Sequence, residues 1–222
     1  TAPRPGAELH DVPIPDPGEG EVLVRVHAAS ICGTDLHIFD WNEWAQGRVT
    51  RVPMTFGHEV AGTVEAVGPE VHHVQRGAFV AVETHIACGV CSTCRTGRAH
   101  ICRNLQILGV DTDGAFAEYV VVPAENAWIV GEGIHPDHAS VMEPFGNAVH
   151  ATFGTEGGED LLTNPVAVIG CGPIGLFAVG IARALGAWKV IAIEPNDERR
   201  SLAAKMGADL LVDPSADDPV EA

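Results

Sequence analysis

Hydrophobic residues in the first part of the chain come in short runs rich in valine, and Gly, Pro and Asp residues separate these runs. The runs read EVLVRVHAAS from Glu21, VAGTVEAVG from Val60, GAFVAVETH from Gly77 and FAEYVVVP from Phe116. Short β-branched runs between turn-forming residues are typical of strands. We therefore predict that the chain is mostly β up to about residue 130.

A different hydrophobic pattern begins near Pro136. The segment HPDHASVMEPFGNAVHATF has apolar residues at helical spacing and predicts one or two helices. Further on, the three short apolar runs VAVIG, KVIAIE and ADLLVD alternate with two helical patterns. Such alternation is typical of a parallel sheet covered by helices. We predict an α/β chain, with a β-rich domain over 1–148 and the first half of a doubly wound domain over 149–222.

Charge narrows the classes of partner. The 222-residue chain has 30 acidic and 13 basic residues and a formal net charge of -17. This charge repels nucleic-acid phosphates and anionic membranes, so neither is an expected partner. No apolar run reaches the roughly eighteen residues that a membrane helix needs, and residues 1–8 lack a secretory signal pattern. The expectation is a soluble, cytoplasmic protein that acts on a small molecule.

Four of the six cysteines lie in one polar segment, residues 89–103 and its border, which has no apolar periodicity. They follow the pattern C-x2-C-x2-C-x7-C and are Cys88, Cys91, Cys94 and Cys102. Four thiolates at this spacing predict a closed, tetrahedral structural zinc site that orders a lobe without a core of its own. Disulfides or free thiols are the alternative. An iron–sulfur cluster is a further alternative, disfavoured because a second cysteine group and a Cys-Pro pair are missing.

A second set of metal-binding residue types is Cys32 in ICGTDLH with His58 and Glu59 in FGHE. Singly, each also fits an ordinary buried thiol or a surface or core histidine. Together, a Cys, a His and a carboxylate are three ligands of the kind that leave the fourth position of zinc open to a substrate oxygen. Cobalt or iron are alternative ions for such an open site.

The glycine-rich segment from Gly170 to Gly175, GCGPIG, follows a predicted buried strand and opens a helix. In that context Gly170 allows a tight turn, Gly172 lets a pyrophosphate approach the backbone, and Gly175 allows close helix–strand packing. Cys171 between them is predicted to be a packed thiol.

Glu194 ends the next strand, where a carboxylate binds ribose hydroxyls and repels a 2′-phosphate, which favours NAD over NADP. Arg199 is either a ligand of the adenosine side or a solvated helix residue, and an arginine there also suits a 2′-phosphate.

Three segments occur in the order and spacing of zinc-dependent medium-chain dehydrogenases: Cys32-Gly33-Thr34-Asp35-Leu36-His37, Gly57-His58-Glu59 and the four-cysteine lobe. The chain resembles that family over nearly its whole length, which implies a GroES-like catalytic domain followed by a Rossmann domain. The phrases HIFDWNEWAQ, ETHIACG and EPFGNAVHA resemble the threonine dehydrogenase branch more than the sorbitol or ethanol dehydrogenase branches.

The resemblance implies a role for each matching residue. Cys32, His58 and Glu59 would surround a catalytic zinc, with Glu143 beside it as an exchanging or neighbouring carboxylate. Thr34 and His37 would pass the substrate proton to solvent, and His85 would lie near the substrate. The residues implied to bind NAD are Gly170, Gly172, Ile174, Gly175, Glu194 and Arg199. The family further implies two zinc ions per chain, a homotetramer, and oxidation of L-threonine to 2-amino-3-oxobutanoate.

Several alternatives stay open at this point. Trp41 and Trp44 either line the pocket or pack the loop after Cys32. His72 and His73 match nothing in the family and are predicted to be solvated loop residues. A polyol or another secondary alcohol is the alternative substrate, and a non-catalytic zinc-stabilised binding protein is the alternative of another class. Because family members continue past the position of Ala222, we expect the nicotinamide half of the dinucleotide domain, and the usual first strand, to lie outside this sequence.

Overall fold

A computed structural model describes residues 2–154 and 164–218. The chain forms two compact units, Thr1–Glu143 and Pro144–Ala222. The first unit is built mainly of β-strands and the second of alternating strands and helices. The predicted α/β class, a β-rich domain followed by Rossmann-type units, is therefore confirmed. No helix in the described part of the chain is long and apolar enough to cross a membrane.

The first unit contains a five-stranded antiparallel sheet of order β6-β1-β2-β3-β7 and a separate pair, β4 and β5. Its strands are β1 (Glu21–Ser30), β2 (Glu59–Val67), β3 (Phe79–Val82), β4 (His85–Ile86), β5 (Gln106–Ile107), β6 (Tyr119–Pro123) and β7 (Ala127–Ile129). Alternate valines point to one face, so Val22, Val24, Val64 and Val122 are fully buried in a common core. This alternation is what the valine-rich runs predict.

Helices of the first unit are short and follow the strands. They are α1 (Gly33–Asp40), α2 (Glu43–Arg48), α3 (Ser92–Arg95) and α4 (Pro136–Ser140). A fifth helix, α5 (Met142–Phe153), begins at the end of the first unit. The helices α1 and α2 pack over a small second core of Ile38, Val49, Met54 and Val110. Pro136 occupies the first turn of α4, where its missing N–H leaves no hydrogen bond unmade. The predicted helical region from Pro136 is thus two helices.

The second unit has the predicted β-α-β-α-β order. After α5, its described part contains β8 (Val166–Ile169), α6 (Pro173–Ala184), β9 (Val190–Ile193), α7 (Asp197–Met206) and β10 (Leu210–Val212). The three strands are parallel in the order β10-β9-β8. Val179 and Ala182 of α6 pack on Val190 and Ala192 of β9 with no exposed surface, so the helix covers the sheet where the glycine segment ends.

Candidate zinc centres and dinucleotide site

Two neighbouring strand ends bring the first metal-binding set together. Ser30 at the end of β1 pairs with Glu59 at the start of β2. Cys32 comes two residues after Ser30, and His58 comes directly before Glu59, so both lie next to this pair. The Cys32 sulfur, a His58 ring nitrogen and a Glu59 carboxylate oxygen all lie within 4.8 Å of one another. The Ser30 hydroxyl donates to the Glu59 carboxylate, which fixes that side chain. The fold therefore assembles the three residues that the sequence singled out.

Asp35 supports this set and was missed as a site residue in the sequence. Its Oδ2 accepts the backbone N–H of Cys32 at 2.8 Å, at the beginning of α1. Its Oδ1 lies 3.3 Å from Nδ1 of His58, and both side chains are buried. A carboxylate behind a histidine orients the ring toward a metal on its other nitrogen. The available signal was a carboxylate three residues after Cys32, the spacing of a helix-capping box.

The protonation chemistry of the set suits a divalent cation. Burial works against a charged His58 ring, but the Asp35 carboxylate and the Cys32 sulfur outweigh burial and raise the pKa of His58 to about 10. The His58 ring lowers the pKa of the Cys32 thiol, against the effect of burial, and Thr34 assists. The site therefore favours a thiolate facing a positive charge. Sulfur, nitrogen and oxygen donors of this kind fit zinc, which replaces the ring proton.

Glu143 belongs to a second group, with Glu83 and His85, whose ligand atoms also lie within 4.8 Å of one another. His85 Nδ1 donates to Glu83 Oε1 at 2.6 Å, and the backbone N–H of His85 donates to Glu83 Oε2 at 3.0 Å. Glu143 Oε1 is 3.9 Å from His85 Nδ1. Glu83 raises the pKa of His85 against the effect of burial, Glu143 assists, and His58 opposes. His85 thus lies within electrostatic reach of His58, and Glu83 is a site residue that the sequence did not reveal.

The predicted proton-path residues lie on α1. Thr34 is half-buried and contacts the Cys32 sulfur through its backbone and hydroxyl, whereas His37 is exposed. The rings of His37 and the exposed Trp44 are 5.7 Å apart. Trp41 packs against the small core around Ile38, which favours the loop-packing alternative for this residue. His72 is exposed, and His73 Nε2 lies 3.1 Å from the Ala124 carbonyl.

The four sulfurs of the polar lobe also lie within 4.8 Å of one another. Cys91 Sγ is 3.4 Å from Cys94 Sγ and 3.8 Å from Cys102 Sγ, well beyond a disulfide bond, and none of the cysteines is paired in one. The backbone N–H groups of Cys88 and Asn104 both point at Cys102 Sγ at 3.3 Å. The Thr93 hydroxyl and nearby backbone amides lower the pKa of Cys91 to about 5. Four convergent sulfurs with amide donors fit a structural zinc.

In the second unit, a cavity of about 650 Å³ opens at the glycine segment. Its lining includes all six predicted nucleotide-binding residues: Gly170, Gly172, Ile174, Gly175, Glu194 and Arg199. Gly172 directly precedes α6, and no described atom lies within 4 Å of where a Cβ would stand. The N-terminus of a helix attracts phosphate, and the open space at Gly172, directly before α6, leaves room for a phosphate group.

Glu194 lines this cavity and is held in place by backbone amides. Its Oε2 accepts the backbone N–H of Cys171 at 2.8 Å and its Oε1 that of Asn196 at 3.0 Å. These amides, Asn196 first and then Cys171, lower the pKa of Glu194. The carboxylate is therefore charged and fixed at the end of β9. Cys171 is fully buried, as predicted for a packed thiol, and burial raises its pKa.

Comparison with known proteins agrees with this geometry. Residues 18–132, more than half of the chain, match the family model of the alcohol dehydrogenase GroES-like domain. The chain belongs to the zinc-type medium-chain dehydrogenase family. Residues 173–222 match the model named zinc-binding dehydrogenase, which covers the segment from Pro173 onward.

Relatives within this family include L-threonine 3-dehydrogenase of Pyrococcus abyssi, 51% identical over 222 residues. That alignment covers 100% of the chain and 62% of the relative, so the chain spans about three-fifths of the length of the proteins it matches.

Two solved structures are also similar. One is a protein of Sinorhizobium meliloti, described as a zinc-binding dehydrogenase and bound to NADP. It has a TM-score of 0.83 and 39% identity over 95% of this chain and 59% of its own. A protein of Escherichia coli described as a short chain alcohol dehydrogenase, complexed with NADH, has a TM-score of 0.83 and 37% identity over 94% of this chain and 60% of its own.

Proposed function

We propose that the protein oxidises the secondary hydroxyl of L-threonine to 2-amino-3-oxobutanoate, with hydride transfer to NAD. The observation that carries this proposal is the group of Cys32, His58 and Glu59, backed by Asp35 and assembled at two paired strand ends. Three protein ligands leave one position on a tetrahedral ion for a substrate oxygen. The ion, when bound, supplies a Lewis acid that lowers the pKa of an alcohol.

The chain's own residues then handle the substrate proton. Thr34 lies next to the Cys32 sulfur, where its hydroxyl is placed to accept the proton of a hydroxyl bound at the same site while it gives up its own proton to the next acceptor. His37, four residues after Gly33 on the same helix and exposed, is placed to pass that proton to water. Groups that accept and release protons in line contribute to the rate because the charge never has to build up on one atom.

NAD is the proposed nucleotide. Gly172 and the beginning of α6 would receive the pyrophosphate, and Glu194 would bind the ribose hydroxyls. Because the Glu194 carboxylate is charged and fixed by two amides, it repels a 2′-phosphate. Arg199 lines the same cavity and would suit a 2′-phosphate, and a similar solved structure holds NADP. The proposed preference for NAD over NADP therefore rests on Glu194.

L-Threonine is proposed as substrate from two lines of support. The 51% identical relative from Pyrococcus abyssi carries that activity in its name. In this chain, the Glu83, His85 and Glu143 group places charged and hydrogen-bonding side chains beside the zinc ligands, which suits a zwitterion better than a plain alcohol. A second zinc in the four-cysteine lobe, a homotetramer and a cytoplasmic location complete the proposal.

The test is NADH absorbance on zinc-loaded protein of natural length, with L-threonine, sorbitol and 2,3-butanediol as substrates. Turnover of threonine above the other two is the expected result. Preference for sorbitol would move the proposal to a polyol dehydrogenase. No turnover of any alcohol, by protein that holds zinc and binds NAD, would favour the non-catalytic alternative.

A further inference from the structure

Asn42, the residue before helix α2, makes two side-chain hydrogen bonds that run in opposite directions. Its Oδ1 accepts the backbone N–H of Ala45 at 3.1 Å and so caps the helix. Its other amide atom, Nδ2, lies 2.7 Å from Nδ1 of His37 on α1. One side chain thus joins the helix cap to the ring of His37.

The cap decides which way the Asn42 amide is turned. A backbone N–H is only a donor, so the atom that meets Ala45 has to be the amide oxygen. The NH2 group therefore faces His37, and an NH2 group only donates. Nδ1 of His37 must then offer a lone pair, and the neutral ring carries its proton on Nε2. The usual ambiguity of amide and imidazole orientation is removed here by the helix cap.

Other contacts keep the His37 ring in this place. The backbone N–H of Asn42 donates to the His37 carbonyl at 3.3 Å, and the Trp44 ring lies against the imidazole at 5.7 Å. The amide of Gln46 donates to the Trp41 carbonyl at 2.8 Å, which fixes the turn between the two helices. The contact between Asn42 and His37 is therefore part of a fixed turn.

We propose that Asn42 is a positioning residue that holds His37 in the tautomer protonated at Nε2. Nε2 then presents its N–H to an acceptor oxygen, and the Asn42 NH2 group covers Nδ1, the basic nitrogen of the ring. His37 takes up a proton only at Nδ1, when Asn42 gives up its hydrogen bond. The tautomer stands on the geometry alone, whereas this consequence for proton transfer rests on the proposed function.

His85 gives the opposite arrangement within the same protein. Its Nδ1 faces the Glu83 carboxylate at 2.6 Å, and a carboxylate accepts, so Nδ1 of His85 carries a proton. The two histidines thus have different partners at the same ring atom. His85 serves as an internal reference for the tautomer of His37.

Two substitutions separate the contact with His37 from the helix cap. Asn42→Asp and Asn42→Ser both keep an oxygen that caps α2, because Asp and Ser are favoured at this position. Only Asn42→Asp places an acceptor opposite Nδ1. The imidazole nitrogens are read by ¹⁵N NMR on zinc-loaded protein of natural length at about pH 8, above the ordinary histidine pKa. A His37→Gln variant assigns the His37 signals.

The expected spectrum of the wild type shows a protonated Nε2 and a bare Nδ1 for His37. In Asn42→Asp we expect a proton on Nδ1 of His37, whereas Asn42→Ser keeps Nε2 as the main protonated nitrogen. A proton on Nδ1 of His37 in the wild type would overturn the proposal, as would an unchanged tautomer in Asn42→Asp.

The rate of threonine oxidation tests the consequence for proton transfer. The Asn42→Asp carboxylate stabilises the charged ring, so at neutral pH its rate is expected to fall severalfold below that of Asn42→Ser. The charged residues of the two helices, Asp35, Asp40, Glu43 and Arg48, are the same in all three proteins. Equal rates would contradict the role in proton transfer. Failure of the wild type to oxidise threonine would instead contradict the proposed function and leave the NMR result intact.

Discussion

Asp35 Oδ1 lies 3.3 Å from Nδ1 of His58, and the same carboxylate accepts the backbone N–H of Cys32. One buried side chain therefore sets the position of two residues that the zinc would bind. Burial lowers the pKa of His58, and the contact with Asp35 is the largest of the influences that overcome burial and raise this pKa.

Asn in place of Asp35 tests this relationship. Asparagine still offers an oxygen to Cys32 but loses the charge behind His58, so we expect the affinity of this site for zinc to fall about 10- to 100-fold. Competition with a chelator measures the affinity. The control is Asp40→Asn, at the exposed end of the same helix. Equal zinc affinity in the two variants would show that Asp35 does not orient His58.

Two glycines of the nucleotide segment are expected to fail in different ways when changed to alanine. A Cβ at Gly175 would stand 1.9 Å from the Gly170 carbonyl, so Gly175→Ala should lower the free energy of unfolding by about 1 to 3 kcal/mol. At Gly172 the space is open, so Gly172→Ala should keep its stability and lose NAD affinity, because its methyl group occupies the phosphate position.

Denaturant unfolding and NAD titration of both glycine variants check this contrast. Normal NAD affinity in Gly172→Ala would argue against a pyrophosphate at the beginning of α6.

The ion pair between Arg48 and Asp111 is expected to stabilise the first unit in a pH-dependent way. Nη1 and Nη2 of Arg48 each donate to a different oxygen of the Asp111 carboxylate at 2.5 Å, and the Ile107 N–H donates to it at 2.8 Å. Arg48 is the main cause of the lowered pKa of Asp111. Asp111→Asn should therefore cost about 1 to 2 kcal/mol near neutral pH.

The sign of the pH dependence follows from that lowered pKa. The contribution is complete above the ordinary aspartate pKa of about 3.9 and is lost as the pH falls through the lower value of the folded protein. The stability difference between wild type and Asp111→Asn should accordingly shrink below about pH 4. The control is Asp113→Asn, whose pair with Arg51 is exposed and should be worth less than about 1 kcal/mol. A stability difference that grows in acid would contradict a stabilising ion pair between Arg48 and Asp111.

Glu194→Gln tests the choice of nucleotide. The substitution removes the charge at the end of β9, and its NH2 group meets one of the two backbone amides that donate to Glu194. We expect the ratio of kcat/KM for NAD over NADP to fall by about tenfold, which corresponds to about 1.4 kcal/mol. Glu198→Gln, an exposed change four residues on, should leave the ratio unchanged. An unchanged ratio in Glu194→Gln would shift the preference to another residue.

Local patterns account for what the sequence predicted. The four cysteines and the glycine segment are motifs whose ligands lie close together in the chain, so spacing alone revealed them. Glu83 and Asn42 had no such signal, because each acts through one histidine ring atom and only coordinates show which atom that is. The place of Trp41 was ambiguous because an indole suits either a pocket or a core. Its contact with the core around Ile38 favours the packing role. The domain boundary at 148/149 stays a prediction, and it lies within helix α5.

We propose that a catalytic zinc on Cys32, His58 and Glu59 is separate from the zinc of the four-cysteine lobe. The most direct measurement is the rate of NADH formation from L-threonine by wild-type protein and by Cys32→Ser, each with its bound zinc counted. We expect two zinc ions and turnover in the wild type, and one zinc ion, an intact fold and no turnover in Cys32→Ser. Threonine oxidation by Cys32→Ser at the wild-type rate would contradict a catalytic zinc on Cys32.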